Sequence, residues 1–403
     1  MKLLKTSNVI WSVVLFIILF LSVFYAFIST DAPYYIAIAR DISNGNILYK
    51  DLYNTYTPVM MYLNSLIYDI FNNPVYHVFL IFQYLVIGVS VLLFYKICKK
   101  LKVGKARSFY LSLFLFIAIL SSDGTYINLE VYVILFVFSA FLLMLDKRFF
   151  WCGIMLSLSF FSKQYGIFNF FPFLLLILTF HQYQRNHLIK FILGASAPLF
   201  LFFGYYIIIE NISFGDLFMQ LSGQGYDQEM IDLKPSLFGF LAGAKVLILL
   251  LLPFIFLKIN PLKDKIDRIL VLGIIVNLIP LFIQNFAHYF ILTFPFVFIL
   301  LARKHQYFNL KFIVVANISL VIISGILFLR IIRYKEVYDE QLKTALKYEK
   351  EFPMGSEVFL YKGYRFLYIL NDYQNPVLKE VGYRYGFKPD QDFQKKYNVL
   401  MED

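Results

Sequence analysis

Asp31 stands directly after the first long apolar run and just ahead of Ala32-Pro33-Tyr34-Tyr35. A carboxylate there has two uses. It caps the helix that follows, worth about 1 kcal/mol, or it acts as a general base toward a hydroxyl arriving from the aqueous side. Two more acids, Asp123 and Glu130, bracket a short polar connection further along. Lys163 is the lone cation between two apolar runs, followed by Gln164. It is either an anchor snorkelling to the interface or a functional charge. Lys245 stands inside an apolar run and is open to the same two readings. No HExxH, P-loop, GxGxxG or zinc-spaced motif occurs, so metalloprotease and nucleotide chemistry have no support.

These groups need a scaffold, and composition supplies its class. Of 403 residues, 60% are apolar and 16% charged, with 47 Phe and 31 Tyr. Soluble domains carry about 45–50% apolar and about 25% charged residues. With a mean hydropathy of +0.68, the sequence predicts an all-α polytopic membrane protein. Soluble enzymes, disordered chains and fibres are excluded. Apolar runs of bilayer length give about eleven spans. They fall near 9–28, 75–96, 108–122, 127–145, 149–162, 166–180, 190–209, 237–257, 269–284, 288–302 and 312–330. Runs 149–162 and 166–180 are short and meet at Ser162-Lys163-Gln164, so they are two tilted spans or a broken pair.

The net charge of +11 sits largely in short loops, where it sets orientation rather than nucleic-acid binding. Basic loops around 96–107, 147–148, 185–190, 258–268 and 303–311 alternate with poor ones. That alternation places the N-terminus inside and residues 331–403 outside. Cys98 and Cys152 form neither a disulfide framework nor a CxxC site.

The first outer loop, 29–74, reads as ordered. Thr30 or Asp31 caps a helix, Pro33 suits its first turn and Asn44-Gly45 stops it. Tyr34, Tyr35, Ile38, Ala39 and Ile42 then share one face, as in a helix lying on the membrane surface. A second helix runs from Thr57-Pro58 to Phe71. The outer loop 210–236 has no regular period and reads as a mobile loop. The chain thus divides into a membrane domain, 1–330, and a small extracytoplasmic α/β lobe, 331–403. In the lobe, 334–351 reads as a helix, and Glu357–Tyr361 and Tyr364–Ile369 as strands around Lys362-Gly363. No internal repeat appears, which argues against inverted-repeat transporters.

Asp31-Ala-Pro-Tyr-Tyr-Ile-Ala-Ile-Ala-Arg-Asp-Ile-Ser-Asn-Gly45, Ile47-Leu-Tyr-Lys-Asp-Leu-Tyr53 and Tyr56-Thr-Pro-Val-Met-Met-Tyr-Leu63 together resemble the first outer loop of GT-C glycosyltransferases. The nearest branch is that of family 39 sugar transferases, protein O-mannosyltransferases and lipid A aminoarabinose transferases. Asn128-Leu-Glu130, Lys163-Gln164 and His288-Tyr289-Phe290 with Pro295 extend the likeness along the chain. Two features depart from it. The acidic pair typical of the family is reduced to Asp31-Ala32, and the Lys that often precedes the loop proline is Thr57.

The resemblance implies a sugar transferase of the bacterial inner membrane, with a polyprenyl-phosphate sugar as donor and a glycan, lipid or protein of the cell envelope as acceptor. The loop charges argue against a nucleic-acid partner, no cofactor is certain, and a divalent metal has no supporting motif. Such chemistry needs a base for the acceptor hydroxyl and a cation or fixed donors for the leaving phosphate. Asp31 fills the base position, with Glu130 or Asp123 as a second acid. Lys163, His288 and Arg40 are the candidates for donor phosphate. A transporter or flippase, or a polymerase or ligase of lipid-linked glycans, are the alternatives.

Overall fold

The computed structural model describes residues 2–25, 28–29, 31–71, 74–180, 185–222, 244–252, 262, 264–283, 287–360, 365–376 and 391–400. Helix α1 (Lys2–Phe24) is followed by two helices of the segment 29–74, α2 (Ala32–Ser43) and α3 (Val59–Phe71). Then come α4 (Tyr76–Lys100), α5 (Lys105–Ile119), α6 (Glu130–Leu145), α7 (Phe149–Ser162), α8 (Phe170–Phe180) and α9 (Arg185–Gly204). A short α10 (Phe214–Leu221) follows. Residues 244–252 are helical, and further helices cover Lys265–Val276, Phe294–Arg303 and Leu310–Glu349.

Five of these elements are long and apolar enough to cross a membrane: Lys5–Phe24, Tyr76–Lys100, Lys105–Gly124, Arg185–Ile209 and Leu310–Glu349. Helices α6 and α7 have 16 and 14 residues. At 1.5 Å per residue they are about 21–24 Å long, shorter than a hydrocarbon core of about 30 Å. Both are largely buried in the bundle, where irregular backbone at their ends is covered by protein.

Association between spans in lipid relies on close approach and polar contacts, and both occur. A Cβ on Gly194 of α9 would lie 1.9 Å from the Phe150 carbonyl oxygen of α7, so only glycine permits that approach. Ser7, Trp11 and Tyr110 all donate to Asn317 Oδ1, at 2.8, 2.8 and 3.1 Å, tying α1 and α5 to Leu310–Glu349. Phe94, Phe114, Phe138 and Phe298 interlock through tilted and edge-on rings at the centre.

The basic connections gather at one end. Lys100 pairs with Asp146, Arg107 Nη1 donates to the His305 carbonyl at 3.1 Å, and Arg303 Nε meets Asp267 at 2.6 Å. Helices α2 and α3 and the acids Asp31, Asp123 and Glu130 belong to the connections of the opposite end.

Several expectations meet a different outcome. Helix α2 is buried from Ala32 through Asp41 and so is covered on both faces, by α3 and by the C-terminal segment, instead of floating half-immersed. Its first amide, Ala32 N–H, donates to Ser29 Oγ at 3.3 Å, whereas Asp31 makes no side-chain cap bond. Gly45, at φ +95°, supplies the expected stop. Part of the loop after α9 is regular: Ser213 Oγ accepts Asp216 N–H at 3.0 Å and starts α10. Residues 223–236 of that loop lie outside the described residues.

The last span does not end at 330. It continues unbroken through Glu349, 40 residues or about 60 Å. Strand Phe359–Leu360 pairs in parallel with Val399–Leu400, not with 364–369, and Leu367–Leu370 is helical. The reason is burial: Leu367 and Tyr368 pack towards α2, where a helical turn lets both reach the core.

Candidate functional site

The connection between α5 and α6 carries both Asp123 and Glu130, and its shape is fixed by two side-chain amides. Gln83 of α4 donates to the carbonyls of Gly124 and Tyr126, at 3.1 and 2.5 Å, and accepts Asn128 N–H at 2.9 Å. Asn128 donates to the Asp123 carbonyl at 2.7 Å and accepts Val131 N–H at 3.3 Å, so it caps α6. Glu130 is thereby set in the first turn of α6, 1% exposed.

Lys163 reaches Glu130 because the chain breaks there. Helix α7 ends at Ser162, Lys163 is extended at φ −159°, ψ 139°, and a 3-10 turn runs Gln164–Asn169. The reversal is tight: a Cβ on Gly166 would lie 2.2 Å from the Ser159 carbonyl oxygen. The broken pair is thus the form that the two short runs take. Lys163 is 5% exposed, so it does not snorkel. Its Nζ donates to Glu130 Oε1 and lies 4.4 Å from the Tyr289 ring centre and 5.5 Å from that of Tyr165. His288, 8% exposed, sets Nε2 3.7 Å from the same Glu130 oxygen.

Three of the six candidates therefore meet in one buried cluster: Glu130, Lys163 and His288. It is an ammonium with one carboxylate counter-ion, a neighbouring imidazole and two phenols. Such a set can hold an anion that competes with Glu130 for Lys163.

Asp31 and Asp123 lie in an adjoining group. Asp123 adopts φ 67° at the kink ending α5, a left-handed conformation that Asp tolerates. Its carboxylate accepts from Arg330 Nη1 at 2.5 Å, and Arg330 also donates to the Ser121 carbonyl at 3.2 Å. Tyr126 hydrogen-bonds Asp123 and feels the charge of Asp31, while Lys245 lies within electrostatic reach of Asp123 and Arg330. Asp31 is half-buried, and among the described residues its carboxylate makes no hydrogen bond or ion pair.

Arg40 belongs to neither group. Its guanidinium donates to the carbonyls of Tyr368 and Tyr373, at 3.3 and 3.0 Å, and to Asp372 at 2.6 Å. It fastens the C-terminal segment to α2.

Two residues escaped sequence reasoning. Arg330 ends the last apolar run, and its position at the rim was the available signal. Gln83 is a polar residue amid a 25-residue apolar helix, which was its signal. Among the described residues, no group of three or more His, Cys, Asp and Glu side chains is placed to hold a metal ion.

No family model matches the chain, and no curated protein matches it significantly. Among solved structures, the crystal structure of ArnT from Cupriavidus metallidurans bound to undecaprenyl phosphate matches with a TM-score of 0.62 and 14% identity. The match covers 91% of this chain and 85% of that one. This chain shares the fold of that ArnT structure. At that identity it is the arrangement of helices that is shared.

Proposed function

We propose that the protein is a membrane glycosyltransferase that moves a sugar from a polyprenyl-phosphate donor to a cell-envelope acceptor at the outer face. The observation that carries this reading is the buried Lys163–Glu130–His288 cluster at the outer-loop end of a GT-C-like fold. That ArnT was crystallised with undecaprenyl phosphate supports a lipid phosphate as the ligand here.

In this reading Asp31 is the base. Its carboxylate takes the acceptor hydroxyl proton as the acceptor oxygen bonds to the sugar's anomeric carbon. The bond from that carbon to the phosphate oxygen breaks, and the polyprenyl phosphate leaves with the electron pair. Lys163 and His288 stabilise the charge that gathers there, in a site shielded from water. Glu130 holds Lys163 in place until the phosphate arrives. Asp123, clamped by Arg330, positions the connection rather than exchanging protons. The N-terminus lies in the cytoplasm and the tail outside the bacterial inner membrane, as the loop charges require.

The test is transfer from synthetic decaprenyl-phosphate sugars, offered singly to purified protein with envelope extract as acceptor. Asp31→Asn keeps size and loses basicity, so transfer falls about 100-fold or more. Folding is untouched, because Ser29 and not Asp31 caps α2. A normally folded Asp31→Asn protein that transfers at the wild-type rate removes Asp31 from the mechanism.

A further inference from the structure

A cavity of about 540 Å³ opens between the first outer loop and the segment around α10, within the ~300–1,000 Å³ range of small-ligand sites. Tyr49, Lys50, Tyr53, Asn211, Asp216 and Gln220 are among its lining residues. The mixture is specific in chemistry. Phenol rings offer flat apolar faces with polar rims, and a carboxylate and two amides offer paired donors and acceptors.

The walls are built rather than incidental. Tyr49 and Asn211 face the cavity from left-handed backbone, at φ 66° and 56°, a conformation that is costly for a bulky tyrosine. The strain is held in place on the Tyr49 side: Tyr49 N–H donates to the Leu52 carbonyl at 3.0 Å, and Gln220 Nε2 donates to the Tyr49 carbonyl at 2.9 Å. Gln220, 8% exposed, also accepts Asn54 N–H at 3.0 Å, which joins α10 to the loop.

At the mouth the lone cation is paired, which leaves the Asp216 carboxylate as an acceptor for neutral donors. Lys50 Nζ lies 3.1 Å from Glu210, and Asp216 accepts from Ser213 Oγ at 2.7 Å. Hydrogen bonds from Tyr205 and then from Lys50 hold the Glu210 carboxyl below the usual carboxylate range, so the clasp is ionised at neutral pH.

One side chain next to the buried cluster ties the cavity walls together. Gln164, the residue after Lys163, donates to the carbonyls of Thr55 and Leu221, at 2.7 and 3.3 Å. These are the strands of chain that form the two walls. The cavity walls are thus joined through the residue that follows Lys163.

We propose that this cavity binds an uncharged sugar ring of the acceptor, which makes the acceptor a glycan or glycolipid. The inference rests on the transferase reading above and adds the acceptor's chemical class to it. Tyr53 takes the C–H face of the ring, while Asp216, Asn211 and the Tyr49 side engage its hydroxyls.

Saturation-transfer NMR tests it, using the full chain in nanodiscs and the methyl glycosides of glucose, mannose, galactose and N-acetylglucosamine as probes. At least one glycoside binds wild-type protein. Tyr53→Ala and, separately, Asp216→Ala each weaken that binding by about tenfold or more. If no glycoside binds, or both variants bind as wild type does, the proposal is overturned. Decaprenyl phosphate binding, measured on the same samples, separates the two readings. Phosphate binding without glycoside binding discards the cavity assignment alone; glycoside binding without phosphate binding discards the transferase reading and, with it, the acceptor role.

Discussion

Glu130→Gln keeps the shape of the side chain at the centre of the cluster and removes its charge. Because Glu130 is 1% and Lys163 5% exposed, the variant strands an ammonium in the protein interior. Breaking a buried pair from one side costs about 3–5 kcal/mol. The Tyr289 ring, 4.4 Å from Nζ, returns a cation–π contribution of about 1 kcal/mol that is present in both proteins and so cancels. At about 2 °C per kcal/mol for a long chain, Tm falls by roughly 6–10 °C. Adding Lys163→Met removes the stranded charge, so Tm recovers in part, short of wild type by the roughly 1–3 kcal/mol that the buried, unpaired amide at position 130 still costs. The phosphate reading adds a second expectation. Ligand at a hundredfold excess over Kd stabilises by about 2.7 kcal/mol, or roughly 5 °C. Decaprenyl phosphate therefore raises the Tm of the single variant at least that far and raises that of the double variant, which keeps only His288 of the two phosphate-binding groups, by less. Scanning fluorimetry in nanodiscs reads all three proteins. A single variant that melts with wild type refutes the buried pair. One that is destabilised yet indifferent to decaprenyl phosphate, when wild type responds, refutes Lys163 as the phosphate ligand.

Arg40→Ala removes the charged hydrogen bonds to Tyr368, Asp372 and Tyr373, each worth about 1.5–3 kcal/mol. Limited proteolysis then cuts the segment after Glu349 faster, while decaprenyl phosphate binding is unchanged; equal cleavage rates deny the docking role. Met354→Cys, 61% exposed, reports orientation, because Cys98 and Cys152 are buried and stay silent. An impermeant maleimide labels it in intact cells with a permeabilised outer membrane, and protection until lysis reverses the proposed topology.

Apolar length carried most of the fold, and its failures share a cause. Length and hydropathy report whether a run prefers lipid, not what else lies against it. The tyrosine face of α2 was readable, but the cover on its other face comes from residues more than 300 positions away, through Arg40. The α10 helix was missed because eight residues are too few to establish a period, although Ser213 and Asp216 carry a capping signature. The tail strand at Phe359–Leu360 fell inside the expected one, yet its partner at Val399–Leu400 comes by a crossover that no local turn signal announces. The break at Lys163 was visible as a polar step, and Gly166 supplies the physical reason for it, a contact with Ser159 that any side chain would block.

The candidate site shows the same division in sharper form. Glu130, Lys163 and His288 each had an ordinary reading when taken singly: a rim acid, a snorkelling lysine, a structural histidine. Nothing in their spacing joins them, since Glu130 and Lys163 are 33 residues apart and His288 lies on a later segment. Their convergence changes the odds for all three at once. A snorkelling lysine directs its charge to water, whereas Lys163 directs it to a carboxylate that is itself buried. Replacing such a pair with apolar residues is close to neutral or stabilising, so stability alone gives little reason to keep it. Asp31 makes the complementary case. The capping role that competed with catalysis belongs to Ser29, and the half-buried carboxylate is left facing the Tyr126 and Asp123 group with no bond of its own among the described residues. The proposed transfer from a lipid phosphate rests on two features: a buried cation paired with a buried carboxylate, and a half-buried Asp31 with no bond among the described residues. Together they form an arrangement that bundle packing has no use for.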